Sequence, residues 1–160
     1  MAPSLKPKRW QDSVAETVQV VLPNDTNPLG FILGGTVMHM IDITGAIACH
    51  RHTNNLAVTA SVDSLDFIHP IKMGDLIILK SRVTCAFNTS IEVEVEVFSE
   101  AIRSGDRRLT SRAFLTFVSL DDNGKPAAVP PVLVETQEDE ERRHQAHERR
   151  ADRLKRRKLG

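Results

Sequence analysis

The sequence predicts an α+β fold in which one helix lies against an antiparallel five-stranded sheet, with a charged helix at the C-terminus. Three observations carry this. From Thr36 to Arg51, Val37, Met38, Met40, Ile41, Ile43, Ala46, Ile47, Ala48 and Cys49 leave the segment apolar nearly all round, which describes a helix enclosed by other structure. From Ser90 to Val97, Ile91, Val93, Val95 and Val97 alternate with Ser90, Glu92, Glu94 and Glu96, a period of two with one buried and one solvated face. Finally, 16 of the 42 charged residues lie between Glu135 and Gly160, beyond Pro130-Pro131, so composition divides the chain into a domain at 1–134 and a tail at 135–160.

The elements follow in order. Val14 to Leu22 reads as a strand through its β-branched run Thr17-Val18-Gln19-Val20-Val21. A polar loop, Pro23 to Gly30, leads to Gly34-Gly35, which open the helix. Beyond Asn54-Asn55 come four more strands, Ala57 to Phe67, Asp75 to Phe87, Ser90 to Ala101 and Arg107 to Leu120. Turn formers at Pro70, Gly74, Ser104-Gly105 and Asp121 to Gly124 separate them. In the tail, Glu138/Arg142, Asp139/Arg143 and Asp152/Arg156 are acid-before-base pairs four apart, each adding about 0.2–0.5 kcal/mol to a helix with little apolar stripe. It reads as a polar, solvated helix whose basic run from Arg149 to Lys158 offers charge to an anion such as a phosphate.

Composition narrows the function. At 160 residues and 17.8 kDa there is room for one domain and a short appendage, which excludes a second catalytic domain. With 41% hydrophobic and 26% charged residues the chain is globular, and 21 basic against 21 acidic residues leave no global field to attract nucleic acid. The basic tail also lacks interleaved aromatics. Cys49 and Cys85 sit in apolar contexts without CxxC spacing and read as packing residues. No run approaches the roughly 18 apolar residues of a membrane span, and no apolar stretch follows the basic N-terminus, so the expected address is cytoplasmic, without membrane insertion.

Asp42 is the residue whose chemistry needs explaining. A carboxylate on an apolar helix costs several kcal/mol unless something compensates, either a salt bridge or helix-end contact, or a role as base or nucleophile. The loop entering Gly34-Gly35 is the second feature, because free amides at a helix start favour a developing oxyanion and glycine lets a carbonyl approach the backbone. Gly30-x4-Gly35 is not a phosphate-binding loop, since Thr36 stands where that motif needs Lys. His39, His50, His52 and His69 lack metal-binding spacing, and no metal is expected.

Asn27-Pro28-Leu29-Gly30-Phe31-Ile32-Leu33-Gly34-Gly35 followed by Met40-Ile41-Asp42 resembles the signature of hot-dog-fold acyl-CoA thioesterases, in the cytosolic acyl-CoA hydrolase branch. The likeness continues through Val58-Thr59, Phe67-Ile68-His69-Pro70-Ile71, Gly74-Asp75, Thr89-Ser90 and Phe117-Val118-Ser119-Leu120-Asp121 into the tail, covering about Val14 to Arg157. It implies hydrolysis of acyl-CoA to a free acid and CoA by Asp42 and Asn27, with Gly34 or Gly35 amides at the carbonyl. No cofactor is implied beyond the coenzyme A of the substrate. It also implies a homodimer, commonly built into a trimer of dimers, with sites shared between subunits. Thr89 and Ser90 match the family's CoA-binding region, whereas Phe87 stands where its Gly usually lies and Asn88 where a basic residue is common. Arg149, Arg150 and Arg153, with Arg82 or Arg107, are the expected partners of the CoA phosphates. Two other functions compete: a non-enzymatic hot dog that binds acyl-CoA as a signal, for which Asp42 and Asn27 would be unnecessary, and a dehydratase, for which His39 lacks the surrounding motif.

Seven residues at 1.5 Å each separate Gly35 from Asp42 by roughly 10 Å, too far for both to touch one carbonyl. The two are therefore expected to serve different sites, completed across a two-fold dimer.

Overall fold

A computed structural model describes residues 5–159. Five strands, β1 (Ala15–Val20), β2 (Leu56–Phe67), β3 (Leu76–Ala86), β4 (Ser90–Glu100) and β5 (Arg107–Leu120), form one antiparallel sheet in the order β1-β3-β4-β5-β2. Helix α1 (Gly34–Thr53) lies across one face, and α2 (Gln137–Leu159) packs on the other side of β3. This is the expected hot-dog arrangement, with strand ends within about a residue or two of the sequence reading. Sequence reading missed a short 3-10 turn at Trp10–Ser13 and another at Pro23–Asp25, since each is a single turn with no periodicity to detect.

The core lies between α1 and the concave face of the sheet. Ile77, Leu79 and Val83 on β3, Ile91, Val93, Val95 and Val97 on β4, and Ala113, Leu115 and Phe117 on β5 enclose Val37, Ile41, Ala48 and Cys49 of α1. Gly45 faces Val95 and Phe117 so closely that an added Cβ would stand 3.3 Å from Val95 Cγ2. The helix begins without a side-chain cap at Leu33 and ends on Asn54, whose left-handed φ of 55° lets its N–H donate back to His50 O at 2.8 Å.

Two expectations need correcting. The helix is not enclosed on every side: Met38 and Ile43 are each 48% exposed, and Leu56, Val58 and Val62 on the edge strand β2 are exposed as well. Nor is the tail a solvated helix. A Thr136/Asp139 capping box starts α2, with Asp139 N donating to Thr136 Oγ1 at 3.0 Å and Thr136 N to Asp139 Oδ2 at 3.3 Å. The helix then buries Asp139, Ala146 and Arg153. Beneath it lies Glu92, fully buried although its alternation with valine had suggested a solvated face.

Candidate active site

The loop before α1 is built to present Asn27. Gly30 N donates to Asn27 O at 2.9 Å, closing a tight turn in which Gly30 takes a φ of +84°, a left-handed conformation that favours glycine. Asn27 Oδ1 accepts from Leu29 N at 3.0 Å and Phe31 N at 3.1 Å. With its carbonyl end committed to the backbone, the amide keeps Nδ2 as its available donor. Asn27 lines a cleft of about 330 Å³ with Gly34, Val37, Phe67 and His69. The first helical hydrogen bond runs from Val37 N to Leu33 O, so the amides of Gly34, Gly35 and Thr36 are the orphan donors of the helix start. Phe67 packs over Gly34, where a Cβ would meet its Cζ at 3.3 Å, whereas the space beside Gly35 is open.

Asp42 sits two turns further along α1, half-buried on the bare side of the helix. Among the described residues it forms no salt bridge, and its compensation is the Thr59 hydroxyl of β2, which donates to Asp42 Oδ1 at 2.5 Å. Both border a second cleft, of about 310 Å³, with Met38, His39, Val62 and Leu65. None of the residues lining this cleft lines the Asn27 cleft. Within one chain the structure thus separates Asn27 and Gly34 from Asp42. Thr59 was part of the motif but carried no role in the sequence reading, because only the crossing of β2 over α1 brings it to Asp42.

The turn between β3 and β4 carries Asn88, Thr89 and Ser90. Asn88 is exposed and the other two half-buried. Its backbone is pinned by Ser119 N donating to Thr89 O at 2.9 Å and Val129 N to Asn88 O at 3.0 Å. Cross-strand register places Ser90 opposite Val118, itself opposite Val58, one residue before Thr59. At about 4.8 Å per strand, Ser90 therefore lies two strands, or roughly 10 Å, from the Asp42 end of the structure.

The arginines expected at the CoA phosphates are mostly committed within the chain. Arg149 holds Glu92 through two bonds, at 3.0 and 2.7 Å, and its guanidinium lies 3.7 Å from the centre of the Phe114 ring. Arg153, buried, binds Asp63 at 2.9 Å, and Arg156 binds the other oxygen at 2.8 Å. Arg82 pairs with Glu94 and Arg107 with Glu100. Among the described residues, Arg150 has no carboxylate partner; it stacks 4.9 Å from the Phe87 ring. The physical reason is the sheet's own acids: Glu92 and Asp63 are removed from water and require cations. Neither cysteine offers a nucleophile, since burial pushes Cys49 up to about 12 and Cys85 up to about 11.

Comparison with known proteins agrees with this architecture. Residues 29–105 match the thioesterase superfamily model. An uncharacterised acyl-CoA thioester hydrolase of Bacillus subtilis is 45% identical over 119 residues, covering 74% of this chain and 69% of that protein. The cytosolic acyl coenzyme A thioester hydrolase of Rattus norvegicus is 34% identical over 86% of this chain, which spans only 36% of that longer relative. A crystal structure of an apo-hexameric acyl-CoA thioesterase superposes with a TM-score of 0.92 at 39% identity, covering 98% of this chain and all of the other. The acyl-CoA hydrolase of Staphylococcus aureus, solved with butyryl coenzyme A and coenzyme A, gives a TM-score of 0.86 at 37% identity over 94% and 92% of the two chains. That enzyme has also been solved with alanine replacing an aspartate, an asparagine or a threonine. The fold and these relatives define a hot-dog thioesterase. The chain belongs to the thioesterase superfamily, among its acyl-CoA thioester hydrolases. No helix among the described residues is long and apolar enough to cross a membrane.

Proposed function

We propose that the protein hydrolyses acyl-CoA to a free acid and CoA at a site made by two copies of the chain. The observation that carries this is the division of the chemistry on one chain: donors in the Asn27 cleft, the carboxylate in the Asp42 cleft, with no lining residue in common. Asn27 Nδ2 and the Gly34 or Gly35 amide of one subunit polarise the thioester carbonyl and stabilise the oxyanion. Asp42 of the other either takes a proton from an attacking water or adds to the carbonyl carbon itself, giving a mixed anhydride that water then opens. In both routes the C–S bond breaks and CoA leaves as its thiolate. Thr59 fixes the Asp42 carboxylate. The Staphylococcus aureus variants replace an asparagine, an aspartate and a threonine each numbered one above Asn27, Asp42 and Thr59, which supports the assignment.

Edge strand β2 and the bare side of α1 are the surface on which the second copy docks, and the hexameric relative supports assembly as a trimer of dimers. Asn88, Thr89, Ser90 and Arg150 form the CoA-contacting group, and the cytosolic relatives support a cytoplasmic setting. Asp42→Asn should lower kcat at least about 10²-fold while the protein stays folded and assembled, within the range that general-base catalysis supplies. The composite site is tested by mixing Asn27→Ala with Asp42→Asn protein under conditions of subunit exchange. Half the dimers are then mixed, and each holds one intact site, so activity should recover to roughly a quarter of wild type. A dead mixture with exchange verified by mass would place both residues in one site of one chain. If the protein binds acyl-CoA but releases no thiol, it is instead a binding module.

A further inference from the structure

A third cavity lies outside both clefts, on the far side of the sheet from α1. It encloses about 260 Å³ between the outer face of β3, the N-terminal 3-10 turn, the chain at 131–134 and α2. It shares no lining residue with the Asn27 or Asp42 clefts. Its walls are apolar, with the Trp10 ring, Phe87, Val132 and the Cys85 thiol, while α2 contributes Arg142, Arg143 and His147.

The charge on this lining is one-sided. Asp139 is its only acid, and that carboxylate is already used: it accepts from Trp10 Nε1 at 3.1 Å and from the Glu135 and Thr136 amides. The Cys85 thiol, buried and kept protonated, adds no negative charge. Arg142 is held by Glu138, but the nearest acid to Arg143, Glu140, stands 3.9 Å away, beyond hydrogen-bond reach. A cationic group with spare donors over an apolar chamber is complementary to a molecule with an anionic head and a hydrocarbon body. At about 30 Å³ for each water-sized group, the chamber holds roughly nine non-hydrogen atoms.

We propose that this cavity is a binding site for a medium-length aliphatic carboxylate, its hydrocarbon against Trp10 and Phe87 and its carboxylate at Arg143. Phe87 also begins the turn that carries Asn88, Thr89 and Ser90, its N–H donating to Ser90 O at 2.8 Å. An occupant that holds Phe87 therefore restrains that turn and alters KM for acyl-CoA, a consequence that rests on the CoA-contacting role proposed above.

Trp10 is the only tryptophan and the chain has no tyrosine, so intrinsic emission reads this cavity directly. Titrating the assembled wild-type protein with octanoate, without substrate, should shift Trp10 emission saturably. Arg143→Gln should weaken the apparent affinity about two- to fivefold, the worth of one exposed charge pair. Cys85→Leu, which narrows the chamber by two side-chain heavy atoms, should weaken the response, with the fold checked by the melting temperature, and 1-octanol should bind more weakly than octanoate. A flat titration, an equal response to octanol, or full affinity in Arg143→Gln overturns the site. Competitive displacement by free coenzyme A also overturns it, because the cavity would then belong to the substrate groove. Saturable binding with an unchanged KM for butyryl-CoA would leave the site standing and refute its coupling to the turn.

Discussion

Arg149→Met should destabilise the protein by about 3 kcal/mol and leave KM for acyl-CoA nearly unchanged. Glu92 has no exposed surface; its carboxylate is held by two Arg149 bonds and by the Thr84 hydroxyl at 2.6 Å. Removing the cation leaves a buried charge with one neutral donor. Breaking a buried pair costs about 3–5 kcal/mol, and because the Arg149 side chain is 24% exposed, water reaching the gap puts the cost at the lower end. In a chain of this size, about 3 kcal/mol corresponds to a melting temperature lower by roughly 6–12 °C. Urea unfolding of wild type, Arg149→Met, Glu92→Met and the double variant separates the pair from its desolvation. The double variant should be more stable than Arg149→Met alone, since no charge is then stranded. Thiol-release kinetics on the same proteins test the role expected from the sequence. A KM several-fold higher in Arg149→Met, with unchanged stability, would refute the structural role and return Arg149 to the CoA phosphates.

Three further outcomes follow from other sites. His52 donates from Nε2 to Pro130 O at 2.7 Å, and burial lowers its proton affinity below the ordinary 6.5. Unfolding then takes up a proton, so the stability from neutral His52 is complete above about pH 6.5 and declines as pH falls through the lower folded value. The melting temperature should drop less steeply on acidification in His52→Gln than in wild type. Thr136→Ala, which removes the α2 cap, should cost about 1 kcal/mol, read as a lower urea midpoint. Gly45→Ala should also lower the midpoint, because overpacking against Val95 and Phe117 costs about 1–3 kcal/mol against at most about 1 gained in helix propensity.

Much of this structure was legible because it rests on patterns of one chain. The period-two valines of β4, the apolar α1 and the turn residues each act within a few positions, and their elements fall where expected. The tail carries little apolar stripe, the pattern by which a sequence usually marks a packed helix. Asp139, Arg142, Ala146, Arg149, Arg153 and Arg156 do recur every three or four residues, which marks one helix face. That face is charged, and it packs because its arginines answer acids on distant strands: Glu92, 57 positions before Arg149, and Asp63, 90 before Arg153. Helix periodicity reports a face; it does not report the partner that makes a charged face dry.

The same distinction applies to Asp42. Its sequence neighbours suggested a carboxylate among apolar groups, yet its side of α1 is bare in the single chain, beside Met38, Ile43 and the exposed valines of β2. Several large apolar side chains grouped along an edge strand and one helix flank are costly to leave in water, at about 25 cal/mol per Å². Under the composite-site proposal, one event removes that cost and completes the chemistry: a second copy covering this flank brings its Asn27 and helix-start amides toward Asp42. It also excludes water from the carboxylate, which strengthens each donor's pull on the thioester oxygen. Asp42 has no cation of its own among the described residues, and the neutral Thr59 hydroxyl orients it. A threonine on an edge strand and an aspartate facing open space are, on this reading, the half of an active site that one chain supplies.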